Sequence, residues 1–297
     1  MNFNRHLAME FAQGWPSMLQ CPYMNAVAYL GPEGTFSWIL ARARFGDGKP
    51  LVACPAIDAV FEAVATGKCR LGLVPVENSS GGTVHDTIDL LIRHAGSVYI
   101  NEEPSLDIRI ALLGHKGGTP RTIYSHFTQI SHHRGWLKDH FPKAKLVPTT
   151  STTQAAGKAA DSRTSAALAS PGAAGIYGLD ILDIPEATSA VNVTNFFTIS
   201  LTQSHSSKSN RTALIAELKN QCGSLHKFLG PFARQNVSLT RIISRPVPGQ
   251  PQTYVFYIEL EGSATDERVA LALESARKQA RTLTLLGSFP VGRRFRS

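Results

Sequence analysis

From residue 26 onward, short apolar runs bounded by glycine, proline and polar residues alternate with stretches whose apolar positions recur every three to four residues. Runs at 26–30, 51–54 and 71–76 read as strands, and the segments 35–45 and 57–66 between them as helices. The same grammar repeats with strands at 108–113, 122–125 and 145–147, helices near 128–140 and over 152–160, and strand text again at 195–200. Strand and helix in alternation predict an α/β protein with parallel strands. Two such runs predict two lobes, with the chain crossing back to the first lobe at its end.

Residues 202–210 (TQSHSSKSN) are polar and serine-rich, the composition of a solvated linker. Beyond them come a strand at 212–218, a helix at 224–234, strands at 237–244 and 254–260, a helix at 266–279 and a strand at 284–286. This βαββαβ order is the ferredoxin-like α+β arrangement. The expected division is an N-terminal extension over 1–25, with Met24 a candidate natural start, and an α/β part over 26–203. Its lobes are 26–106 with 186–203, and 107–185; a linker over 204–210, an α+β domain over 211–290 and a basic tail over 291–297 follow.

At 297 residues and 43% hydrophobic content the chain can bury more than one core. No apolar run approaches the roughly 20 residues a bilayer requires. The opening residues, with Asn2, Arg5, His6 and Glu10 among scattered apolar ones, lack the unbroken apolar stretch of a signal peptide, so a cytoplasmic protein is expected. Cys21, Cys54, Cys69 and Cys222 stand singly, which predicts neither a disulfide framework nor a zinc site. The net charge of +8 is spread along the chain without interleaved aromatics. It fits attraction for anionic metabolites and not a nucleic-acid surface.

Four segments carry candidate chemistry. Gly31 to Ser37 (GPEGTFS) joins a strand to a helix, where glycines allow a tight turn and free N–H groups favour an anion, although a purely steric turn has the same text. Pro75 to Val84 (PVENSSGGTV) packs Asn78 and Ser79 at the carboxyl end of a strand, where open α/β sheets bind ligands, with Thr87 on the helix that follows. Thr149 to Thr153 (TTSTT) places five hydroxyls before an alanine-rich helix, fitting both a cap and a carboxylate site. Asn192 to Phe197 (NVTNFF) is, by itself, ordinary strand text.

Taken in order, VAYLGPEGTFS, GLVPVENSSGGTVHDTIDLL, IYSH, TTSTTQAA and the final LLGSFP resemble the prephenate dehydratase family over nearly the whole chain. Gly223-Ser224-Leu225 resembles the Gly-Ala-Leu motif, and Ile243-Ser244-Arg245-Pro246 the Glu-Ser-Arg-Pro motif, of an ACT domain. The resemblance implies a periplasmic-binding-protein-like catalytic domain of two lobes, followed by a ferredoxin-like ACT domain that binds L-phenylalanine. It implies a carbon–oxygen lyase that converts prephenate to phenylpyruvate in phenylalanine biosynthesis, with no cofactor and no metal, in a homodimer or homotetramer that uses neither nucleic acid nor membrane. Thr194 matches the family's catalytic threonine, and Asn78, Ser79, Thr87, Ser125, Ser151, Thr152, Asn195 and Phe196 match places around the substrate. Gly223, Ser224, Leu225, Ser244, Arg245 and Pro246 match the regulatory site.

The chain departs from the family at Trp38, at Phe127-Thr128, at Gly81, at Asn195 in place of arginine, and at Ile243 in place of glutamate. Exchanging a guanidinium for an amide weakens a charge-assisted contact by about 1–3 kcal/mol. Arg42, Arg109, Arg121 and His132 are the candidate replacements. Two other readings stay open on the same motifs: a decarboxylase that leaves the ring non-aromatic, and a noncatalytic amino-acid-binding relative.

Overall fold

The computed structural model describes residues 25–185, 192–203, 208–247, 249 and 253–297. The expected extension before residue 25, the crossing at 186–191 and positions 204–207 of the expected linker lie outside them.

The chain opens with β1 (Val27–Leu30), α1 (Phe36–Phe45), β2 (Leu51–Cys54), α2 (Ile57–Ala65) and β3 (Leu71–Asn78). Then follow β4 (Gly82–Thr83), α3 (His85–Arg93) and β5 (Tyr99–Asp107). The second lobe holds β6 (Ala111–Gly114), β7 (Thr122–His126), α4 (Phe127–His132), α5 (Arg134–His140), β8 (Lys145–Thr149), α6 (Thr152–Ala160), β9 (Ser165–Ala169), α7 (Ala173–Tyr177) and β10 (Asp180–Asp183). Strand β11 (Val193–Ser200) lies between β3 and β5 in the sheet of the first lobe. The C-terminal part is β12 (Arg211–Glu217), α8 (Ser224–Arg234), β13 (Leu239–Pro246), β14 (Tyr254–Glu261), α9 (Glu267–Arg277), β15 (Thr282–Phe289) and β16 (Val291–Arg296).

Each lobe has one open sheet. In the first the order is β16-β5-β11-β3-β1-β2, with β4 on β3. Strand β1 runs parallel to both neighbours, β2 and β3, so the chain order reverses there. In the second the order is β10-β6-β9-β7-β8, and β7 runs parallel to both β8 and β9. A reversal of this kind leaves a crevice at the carboxyl ends of the strands. The loops after β1, β3 and β8, which carry three of the four candidate segments, therefore open on such crevices.

Local text explains the elements that frame them. Thr35 caps α1 by accepting from Trp38 N at 3.3 Å, and Gly46 ends it with a φ of 65°. Ser151 caps α6 by accepting from Gln154 N at 3.0 Å. Helix α2 buries Val60, Phe61 and Val64 along one stripe. The lobes meet where Ser170 Oγ, buried, donates to Gly34 O at 2.9 Å. Gly34 stands against Ile176, Thr153 and Ala173 of the second lobe at φ +84°, a backbone conformation that favours glycine.

The C-terminal sheet, ordered β13-β14-β12-β15, is ferredoxin-like. Helices α8 and α9 cover one face. Its other face lies on the first lobe, where Ala213, Ile215, Tyr257, Leu286 and Phe289 join Val74, Val76, Phe197 and Ile199 in one buried cluster. The domain expected to hang on a linker thus shares a core with the first lobe.

The expected tail is corrected outright. Residues 291–296 form β16, parallel to β5 and pairing Phe295 with Leu106, with Arg294 Nε 2.6 Å from Asp107. The expected helix at 128–140 is two short helices, with His133 between them at ψ 16°. No helix among the described residues is long and apolar enough to cross a membrane.

Candidate active site

At the carboxyl end of β3 the amide of Asn78 is fully engaged. Its Oδ1 accepts from Ser80 N at 2.9 Å and Gly81 N at 2.8 Å, and its Nδ2 donates to Asn192 Oδ1 and Thr194 Oγ1, both at 2.8 Å. The two backbone donors fix which amide atom is oxygen. Ser79 closes the other side, its N donating to Val193 O at 2.8 Å and its Oγ accepting from Val193 N at 3.0 Å. Segments more than a hundred residues apart are thereby stitched into one polar corner.

A strand irregularity makes this possible. Leu73 of β3 belongs to the core under α1 and Val74 to the core under α2 and α3, so plain alternation would send Asn78 with Val74 and Val76, away from Thr194. Against β11, however, Asn195 pairs with Glu77 and Phe196 with Pro75, leaving Val76 as an extra residue on β3. One extra residue inverts the faces beyond it. Asn78 turns toward Thr194, and Glu77 turns to the opposite side. The exposed carbonyls of the bulge are taken up by Val84 N, which bonds Val76 O at 2.8 Å, and by Thr87 Oγ1, which bonds Pro75 O at 2.6 Å.

That last bond corrects one expected substrate contact. Thr87 is fully buried and braces the bulge. Ser125 is likewise fully buried and donates to Leu168 O at 2.6 Å, and Phe196 packs with Val27, Tyr29, Leu40 and Leu73. None of the three presents surface to a ligand. Alternation along β11 also parts Asn195 from Thr194: Phe196 lies in the α1 core and Phe197 in the opposite one, so Asn195 shares the face of Phe197. Ser151 and Thr152 stand at the amino end of α6 in the second lobe, just before the Thr153 that lies near Gly34. Burial lowers the pKa of His126, at the end of β7.

In the C-terminal domain, Ser224 and Leu225 line a pocket of about 160 Å³ with Leu218, Gln221, Tyr254 and Phe256. Gly223 precedes α8 with a φ of 78°. Ser244 and Pro246 are exposed on the edge strand β13, while Arg245 points to the other face and grips Asp89 of α3 with two bonds of 2.6 Å. The expected regulatory set is therefore divided between two faces, because successive residues of a strand alternate.

Residues 27–204 match the family model described as prephenate dehydratase. The chain belongs to the prephenate dehydratase family. A bifunctional chorismate mutase/prephenate dehydratase of Stutzerimonas stutzeri is 36% identical over 97% of this chain and 79% of its own. The structure of prephenate dehydratase from Arthrobacter aurescens in complex with L-Phe superposes with a TM-score of 0.81 at 29% identity, covering 89% of this chain and 90% of that one. GqqA, described as a novel type of quorum quenching acylase, superposes with a TM-score of 0.82 at 26% identity, over 90% of this chain and 98% of that one.

Two of the positions where the sequence is expected to depart from the family have a defined setting in the structure. Trp38 lies on α1 beside Ile39, the residue of that helix nearest Gly172 of the second lobe, and Arg42, one of the candidate replacement cations, stands over its ring at 4.9 Å. Ile243 packs on the core shared with the first lobe. Asn192, whose amide oxygen holds Asn78, opens a candidate segment in the sequence but is assigned no role there, because its place before a strand of ordinary text gives no signal of this.

Proposed function

We propose that the protein removes carbon dioxide and water from prephenate to give phenylpyruvate, and that its C-terminal domain is an ACT domain that binds L-phenylalanine. Membership of the prephenate dehydratase family supports the reaction. The bond from Asn78 Nδ2 to Thr194 Oγ1, at 2.8 Å, carries the assignment of its centre. A hydroxyl has one proton to give and two lone pairs. Because Thr194 accepts from Asn78, its own proton is left to point at a third atom, which in this reading is the departing ring oxygen.

The reaction balances as prephenate dianion plus one proton giving phenylpyruvate monoanion, carbon dioxide and water. Electrons of the breaking carboxyl bond enter the ring, and the ring expels the hydroxyl oxygen. Thr194 hydrogen-bonds that oxygen as negative charge gathers on it, which lowers the barrier most in the transition state. Ser151 and Thr152 bring the amino end of α6, whose first N–H groups lack partners within the helix and favour a substrate carboxylate. The L-Phe complex of the Arthrobacter aurescens relative supports the ligand of the C-terminal domain, whose pocket is lined by Ser224 and Leu225.

Incubation with prephenate, with products identified by mass, tests the reading. Phenylpyruvate is the expected product, and a product that keeps the hydroxyl would move the assignment to a non-aromatising decarboxylase. Thr194→Val is expected to lower kcat on the order of 10²-fold and Thr194→Ser to retain most of it. A Thr194→Val enzyme as active as the wild type would remove Thr194 from the mechanism.

A further inference from the structure

Strand β13 of the C-terminal domain reaches into the first lobe beside the Asn78 corner. Arg241 is 10% exposed and bonds Glu77 of β3 at 2.5 Å, Glu103 of β5 at 3.3 Å and Glu259 of β14. Its guanidinium carbon lies 5.9 Å from the ring centre of Phe197 on β11. One side chain from the C-terminal sheet thus touches three adjacent strands of the catalytic sheet. Arg211 lies 3.3 Å from both Glu103 and Glu259, and Tyr257 OH donates to Glu259 at 2.6 Å.

The acids differ in what they need. Glu103 and Glu259 are 2% and 0% exposed, and a buried carboxylate without a partner is strongly destabilising. Their bonds to Arg241 and Arg211 join the two sheets. Glu77 is 39% exposed and water can solvate it, so stability does not require its bond to Arg241. What distinguishes Glu77 is its place, sharing a peptide with Asn78 at the bulge that turns the two residues to opposite faces. A guanidinium holding Glu77 from one side fixes the peptide that aims Asn78 at Thr194 on the other. The same strand is tied a second time, by Arg245 to Asp89 of α3, the helix whose Thr87 braces the bulge.

We propose that Arg241 is a positioning residue for the reaction: acting through Glu77, it sets the orientation of Asn78 and so of the Thr194 hydroxyl. This deepens the reading of Thr194 as the group that meets the leaving oxygen and rests on it. It also makes the pair responsive to β13, whose outer residues Ile242, Ser244 and Pro246 are exposed while Arg241 and Arg245 hold the inner side.

Steady-state kinetics of the full chain with prephenate test the link in Glu77→Gln, Arg241→Lys and the double variant. Glu77→Gln is expected to lower kcat about tenfold with KM within about twofold, since it misaligns a group that acts in the transition state. Its melting temperature stays within a few degrees of the wild type. Arg241→Lys keeps the charge without the fork and gives a smaller loss of kcat. The double variant is no slower than Glu77→Gln, because both changes cut one connection. Independent, multiplying losses, a change confined to KM, or an unchanged kcat in Glu77→Gln would each overturn the proposal. If the wild type leaves prephenate untouched, the reading of the reaction falls on its own, and hydrogen exchange still decides the link. The amides of Ser80 and Gly81, held by Asn78 Oδ1, are expected to exchange about tenfold faster in Glu77→Gln; unchanged exchange overturns it.

Discussion

Thr87 shows how one hydroxyl can look like chemistry and serve the fold. It follows a ligand-like segment, yet it is fully buried and its proton goes to the carbonyl of Pro75. Thr87→Val keeps the shape and removes the donor, so the stability of the protein is expected to fall by about 1–3 kcal/mol. A substrate contact would behave differently, raising KM for prephenate with melting unchanged, and thermal melts beside kinetics separate the two outcomes. Asn78 is the opposite case. All four positions of its amide are used, two on backbone N–H groups and two on Asn192 and Thr194, and that bonding makes it a rigid pointer. The residue types were legible in the sequence; which hydroxyls face a ligand was not, because one extra residue in β3 inverts the faces.

Elements with a strong period appear where their pattern puts them. Helix α6 spans Thr152–Ala160 and β2 spans Leu51–Cys54, each as the text predicts. Strand β5 (YINEEPSLD) was hidden by its polar residues: Glu103 looks wrong for a buried strand until Arg241 and Arg211 arrive from another domain. Strand β16 (VGRRFR) was hidden because an edge strand exposes one side to water and tolerates charge there. Ending the chain at residue 290 removes the strand paired with β5 and the Arg294 to Asp107 ion pair. The expected result is a loss of about 1–3 kcal/mol in denaturant melts, with prephenate kinetics near those of the full chain. Unchanged stability would mean that β16 adds nothing to the sheet.

Across the whole molecule, the charge cluster between the C-terminal sheet and the first lobe ties folding to pH. Two guanidiniums serve three carboxylates, and Glu103 has the longest contacts, 3.3 Å to each arginine. Burial, with Glu259 close by, outweighs those arginines and raises its pKa from 4.5 to about 7. The folded chain thus keeps a proton that the unfolded chain releases over that range. The group's contribution is complete below pH 4.5 and is lost as pH rises toward 7. Glu103→Gln imitates the protonated form and lacks this dependence. Melts of both proteins at several pH values are expected to show the wild type losing stability relative to the variant between about pH 5 and 8, and parallel curves would contradict it. From the sequence alone came the α/β and ferredoxin-like patterns, the motif order of the prephenate dehydratase family and the residues Asn78, Ser79 and Thr194, because periodicity and local turn chemistry are written along the chain. Only the tertiary structure decided that Asn78 faces Thr194, that Arg241 holds Glu77, and that the C-terminal domain shares a core with the first lobe. Those depend on a bulge and on pairings such as that of Glu77 with Arg241, 164 positions apart, which no local pattern encodes.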